Sequence, residues 1–173
     1  MKICSLLPSA TEIVCSLGLE DQLVGISHVC DYPISLIDSD ALVVTKRSSE
    51  MVGLSSQAID KVIKSNRERK IATQIVDADL LRQLSPDIIL TQELCYVCAV
   101  EYGAVCDVTT EILDYEPQIV SLKPAGVDDI LENIIKIAEV CNVKGSGEKL
   151  VNSIRSRMNF VIDKLAQASD LKA

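Results

Sequence analysis

Short apolar runs recur along this chain, each closed by turn residues and followed by a stretch with the period of a helix. Ile88-Ile89-Leu90 is the sharpest case after the first strand, with Pro86-Asp87 before it and Thr91 after it. Runs this short and this uniformly apolar suit strands covered on both faces, and the helices between them supply the cover. The alternation predicts an α/β fold: a Rossmann-like, doubly wound, mainly parallel sheet that ends in a long C-terminal helix.

The strands expected are Lys2–Leu7, Gln22–Ser27, Ala41–Thr45, Ile71–Val76, Asp87–Thr91 and Gln118–Leu122. After the first, Ser9 reads as an N-cap with Glu12 completing a capping box, and Gly18 closes the helix. Ser55 or Ser56 caps a helix carrying Ile59, Val62 and Ile63. A short helix over Asp77–Leu84 stops before Pro86. Val127–Cys141 has the clearest amphipathic pattern. Gly145-Ser146-Gly147 reads as a break, after which Leu150, Ile154, Met158, Val161 and Leu165 line one last helix. A domain boundary near residue 144 follows, with a ligand-binding lobe over 1–144 and a terminal helix over 145–173.

With 173 residues the chain is long enough to build its own core. Its residues are 48% hydrophobic but only 3% aromatic, so that core is aliphatic. The formal net charge of −8 argues against nucleic acid as a partner, because such binding draws on a positive field. The basic group Lys61, Lys64, Arg67, Arg69 and Lys70 reads as a solvated helix terminus. Seven cysteines form an odd set without the composition of a disulfide scaffold, which points to reduced thiols. Pro8, Ser9, Thr11 and Glu12 interrupt any signal-peptide core, and no run reaches membrane-spanning length. The expected location from the sequence as given is the cytoplasm.

No phosphate-cradling loop, dinucleotide fingerprint or nucleophile elbow is present. The single histidine, His28, excludes mechanisms that need two. The expectation is therefore binding and not catalysis. Three polar clusters follow predicted strands, at the edge where open parallel sheets bind ligands. The first, Pro8 to Glu12, is either a plain helix cap or a set of backbone N–H groups facing a ligand. The second runs from His28 to Pro33, and a simple turn accounts for it equally well. The third is Thr91-Gln92-Glu93-Leu94-Cys95-Tyr96-Val97-Cys98.

Cys95 and Cys98 are open to three readings: a redox pair, half of a metal site, or inert thiols beside a cleft. Zinc sites usually take four ligands, and His28 and Cys30 on a neighbouring loop complete a candidate set for zinc or iron. Cys4, Cys15 and Cys141 read as core residues.

Leu6-Leu7-Pro8-Ser9-Ala10-Thr11-Glu12, with Leu17-Gly18 and Val24-Gly25-Ile26-Ser27, resembles the N-terminal lobe of the cobalamin- and iron-siderophore-binding proteins that serve ABC importers. Asp31-Tyr32-Pro33 and Leu84-Ser85-Pro86-Asp87-Ile88-Ile89-Leu90 fit the same pattern. The resemblance implies two α/β lobes joined by a long helix, here from Ser146 to about Ala168, with the second lobe outside this chain. It implies no tightly bound cofactor and a corrinoid, haem or other metal chelate as ligand. Pro8, Ser9, Thr11, His28, Asp31, Tyr32, Thr91, Gln92 and Tyr96 would form the ligand-binding set. Asp79 falls where an acidic residue of the family docks onto the permease. Family relatives are often periplasmic or otherwise extracytoplasmic. Two other readings stand beside it: a Cys/His metal- or redox-sensing module centred on Cys95 and Cys98, and a homodimer paired through the apolar stripe of the terminal helix.

Overall fold

The computed structural model describes residues 1–47, 53–69, 74–92, 105–106, 109 and 115–170. Two compact units divide the chain, Met1–Lys123 and Pro124–Ala173.

In the first unit, β1 (Ile3–Ser5) leads into α1 (Pro8–Ser16), and β2 (Leu23–Ile26) and β3 (Leu42–Val43) follow. After β4 (Thr45–Arg47) come α2 (Ser56–Arg69), β5 (Gln74–Val76), α3 (Ala78–Leu84), β6 (Ile88–Gln92) and β7 (Gln118–Leu122). Five strands form one sheet in the order β3-β2-β1-β6-β7, and every pairing in it is parallel. The chain steps outward from β1 to β3, then returns to the other side of β1 as β6. The order therefore reverses between β1 and β6, which is where such sheets open a crevice at their carboxyl edge. β4 and β5 form a separate antiparallel pair, with Thr45 opposite Val76.

Burial follows the apolar runs. Cys4, Leu6, Val44, Leu81, Ile89 and Val105 form one buried cluster, with Val76, Leu80, Leu84 and Ile119 packed against it. Gly25 leaves little room for a side chain there: a Cβ on it would lie 3.0 Å from Val44 and 3.1 Å from the Cys4 sulfur, so both would have to give way.

Local chemistry sets the element ends. Gly18 (φ +77°) closes α1 in a Schellman turn, its N–H bonded to Cys15 O and that of Leu19 to Val14 O. Ser55 Oγ accepts from the Ala58 N–H at 3.4 Å, so it is Ser55 that caps α2. Asp77 caps α3 through the Leu80 N–H. Ser85 adopts a left-handed conformation just past α3, and Asp87 then accepts the Lys2 N–H at 2.7 Å. This is the physical content of the Leu84–Leu90 motif: it ends a helix and locks the start of β6 beside β1.

The expected capping box at Ser9 does not form. Leu7 is the N-cap of α1 with no side-chain cap bond, Pro8 sits in the first turn, and Ser9 is exposed. Proline's fixed φ and missing N–H suit the first helical position, which moves the cap back one residue.

In the second unit, α4 (Val127–Val140) buries Leu131, Ile134, Ile137 and Ala138. The Asp129 carboxylate reaches back to the N–H groups of Ala125 and Gly126. The chain then turns at Asn142 (φ +59°), and α5 (Lys144–Asp170) begins at once. Gly145-Ser146-Gly147 is thus not the break expected from the sequence but part of α5. The reason is steric: a Cβ on Gly147 would stand 2.5 Å from that of Ala138, so glycine lets the two helices approach. Farther along α5 the apolar residues are open, with Phe160 63%, Val161 54%, Ile162 58% and Leu165 66% exposed. Among the described residues, no helix is long and apolar enough to cross a membrane.

Candidate functional site

The register of the parallel strands gathers the predicted loops. Ser5 at the end of β1 stands opposite Ile26 of β2 on one side and Leu90 of β6 on the other. The pairing continues past the strand ends, with Leu6 N–H bonded to Leu90 O and Ser27 N–H to Ser5 O. The segments beginning at Leu6, Ser27 and Thr91 therefore leave from one edge, on both sides of the point where strand order reverses.

A layer of buried hydroxyls underlies that edge. Ser5, Thr11, Ser27 and Thr91 are fully buried and Thr45 nearly so. Thr11 donates to Ser5 Oγ at 2.8 Å, and Ser5 Oγ donates on to Leu7 O at 3.1 Å. Thr11 Oγ1 also lies 3.1 Å from Leu7 O and 3.1 Å from the Cys30 sulfur, and in the contact with Cys30 either atom can donate. Burial raises the Cys30 pKa, in keeping with a thiol that holds its proton, while the Thr11 bond works the other way.

A second group sits on the β2 side. Thr45 Oγ1 lies 3.0 Å from Ser27 Oγ and 2.8 Å from His28 Nδ1, and it accepts the His28 backbone N–H at 2.9 Å. Burial lowers the His28 pKa, and the positive charge of Arg47 lowers it further. Both effects favour the neutral imidazole, and its Nε2 has no partner among the described residues.

The uncapped start of α1 contributes donors to the same edge. Pro8 has no N–H, and those of Ser9 and Ala10 find no acceptor among the described residues, since the first-turn bonds begin with Thr11 N–H to Leu7 O. Ala10 is buried but Ser9 is exposed, and an open N–H at the positive end of a helix favours an oxygen or anionic group. Asp31 and Tyr32 are exposed, Tyr32 by 59%, and the Tyr32–Pro33 peptide is cis. Gln92 is half-buried at the end of β6.

Pro8, Ser9, Thr11, His28, Asp31, Tyr32, Thr91 and Gln92 thus all lie on segments at or just beyond one sheet edge, although the hydroxyl of Thr11 is committed inward to Ser5. Tyr96, Cys95 and Cys98 lie outside the described residues. Among the described residues, no three His, Cys, Asp or Glu side chains are grouped to hold a metal ion. Asp79 stands in the first turn of α3 and pairs with Arg82 at 3.2 Å, with both side chains open to solvent. The supporting hydroxyls Ser5, Ser27 and Thr45 were missed from the sequence. Their signal was there, a Ser or Thr at the polar end of an apolar run.

No family model matches the chain, and no curated protein matches it in sequence. Solved structures match its fold. The periplasmic vitamin B12 binding protein BtuF of Vibrio cholerae is 19% identical at a TM-score of 0.64, over 95% of this chain and 51% of that one. A periplasmic haem-binding protein of Pseudomonas aeruginosa is 18% identical, also at 0.64, over 98% and 48%. The periplasmic haem-binding protein HutB of Vibrio cholerae gives 17% and 0.62, over 95% and 50%. The chain spans about half the length of the solved structures it matches. Its α/β fold, with a parallel five-stranded sheet and a long C-terminal helix, is that of one half of the periplasmic cobalamin- and haem-binding proteins.

Proposed function

We propose that this chain is one lobe of a substrate-binding protein that captures a corrinoid or another metal chelate, such as haem, without chemical change and delivers it to an ABC permease. One observation carries the reading: the shared register of β2, β1 and β6 brings the uncapped start of α1, the polar segment after β2 and the polar end of β6 to a single edge. The exposed Ser9 with its open N–H, the His28 ring and the exposed Tyr32 offer polar groups suited to a large, flat, acceptor-rich ligand. Among the described residues the one hydroxyl bonded to the histidine ring, that of Thr45, is buried, which favours binding over catalysis. Asp79 is the acidic residue offered to the permease, and α5 leads toward a second lobe.

Ligand sites normally enclose most of their ligand, so half a cleft binds weakly. Calorimetric titration with cyanocobalamin and with ferric haem tests the reading. The expected result is feeble binding to this chain and tight binding of at least one of the two when a second lobe is appended. Equal affinity of both forms, or no binding to either, would overturn it.

A further inference from the structure

The hydroxyl of Thr45 has more partners than protons, and counting them settles the state of His28. Thr45 Oγ1 has one proton to give and two lone pairs to fill. The His28 backbone N–H takes one lone pair at 2.9 Å. Ser27 Oγ at 3.0 Å and His28 Nδ1 at 2.8 Å share the other lone pair and the proton.

Two arrangements satisfy Thr45, but only one satisfies Ser27. Ser27 is fully buried, and Thr45 is the only partner of its hydroxyl among the described residues. Were Thr45 to donate to Ser27, the Ser27 proton would be buried with no acceptor among the described residues, and an unmet buried donor is the costlier fault. Ser27 therefore donates to Thr45, and Thr45 donates to His28 Nδ1. A neutral imidazole that accepts at Nδ1 carries its proton on Nε2.

We propose that Ser27 and Thr45 are positioning residues that hold His28 in its Nε2–H form, so that His28 meets a ligand at an oxygen acceptor and not at a metal. An imidazole bonds a metal through an unprotonated nitrogen, and the only such nitrogen in this arrangement faces Thr45. The ligand group it fits is a carbonyl or carboxylate on the rim of the bound molecule. The choice of ligand group rests on the binding-lobe reading above, whereas the proton position stands without it.

As the only histidine, His28 gives unambiguous ring signals. Nitrogen-15 NMR of the whole chain at pH 8 reads which ring nitrogen bears the proton. The expected spectrum has Nε2 protonated and Nδ1 as the bare acceptor, and Thr45→Ser preserves it. Thr45→Val removes the donor, so the two nitrogen shifts move toward each other as both forms exchange. Equimolar Zn²⁺ should leave the wild-type Nε2 proton in place. A protonated Nδ1 in the wild type, shifts unmoved by Thr45→Val, or a zinc-bound Nε2 would each overturn the proposal. Failure of the cobalamin and haem titrations would sink the binding-lobe reading while leaving this spectrum unchanged.

Discussion

Thr11 donates its hydroxyl proton to Ser5 Oγ across 2.8 Å, and both side chains are fully buried. The bond ties the end of β1 to the first turns of α1, and the Cys30 thiol hangs from the same oxygen at 3.1 Å. One hydroxyl thus joins two of the segments that shape the candidate site. Thr11→Val keeps the volume and removes the oxygen, leaving the fully buried Ser5 Oγ and the half-buried Cys30 thiol without that partner. An unmet buried polar group costs about 1–3 kcal/mol. Urea unfolding should show a loss in that range, with Thr11→Ser losing less. A variant as stable as the wild type would mean that the hydroxyl chain contributes nothing to the edge.

The electrostatics of the second hydroxyl group give a test in pH. Burial and the Arg47 charge both lower the His28 pKa from its ordinary value near 6.5. The folded chain thus resists protonation that the unfolded chain accepts, so its stability falls as pH drops below that value. Arg47→Gln removes one of the two causes and should move the His28 NMR titration midpoint upward, toward 6.5. An unmoved midpoint would show that Arg47 does not act on the ring.

Cys4 carries the opposite dependence at alkaline pH. Its complete burial, with a smaller effect from Cys30, pushes its pKa from 9.0 up to about 12. Between those values the unfolded thiol has lost its proton and the folded one has not, so stability declines as pH rises. One fully linked group contributes a slope of about 1.4 kcal/mol per pH unit. Lysines and tyrosines titrate in the same range, so the wild type must be compared with Cys4→Ala. Between pH 9 and 11 the gap in unfolding free energy between the two should narrow with rising pH. A constant gap would contradict a buried, protonated thiol.

How much of this was legible beforehand depended on whether the governing force was local. Gln118–Leu122 formed a strand at the expected residues, and Val127–Cys141 ended one residue early, because apolar periodicity and burial agree there. Ser9 misled because the Ser9-x-x-Glu12 pattern is a true cap signature elsewhere, whereas here Pro8 already occupies the first turn. The antiparallel pairing of Thr45 with Val76 joins residues far apart in the chain, and nothing in either segment names its partner. The proton order around His28 was out of reach for the same reason. It depends on Ser27, Thr45 and His28 meeting, and only the register of β2 and β3 decides that.

Gly145-Ser146-Gly147 shows the same limit and allows the sharpest mutational test. A glycine pair at the start of a helical pattern reads as a break, yet both glycines lie within α5. They differ in surroundings: a Cβ on Gly145 would meet nothing within 4 Å, whereas one on Gly147 would lie 2.5 Å from the Ala138 Cβ. Gly145→Ala should therefore stabilise the chain by up to about 1 kcal/mol, the usual difference in helix propensity. Gly147→Ala forces α5 away from α4 and should cost about 1–3 kcal/mol, the ordinary penalty of overpacking. Removing the opposing methyl as well, in Ala138→Gly with Gly147→Ala, relieves the clash and should leave the double variant more stable than the sum of the two single effects. Strictly additive effects would show that the two helices do not meet at this pair.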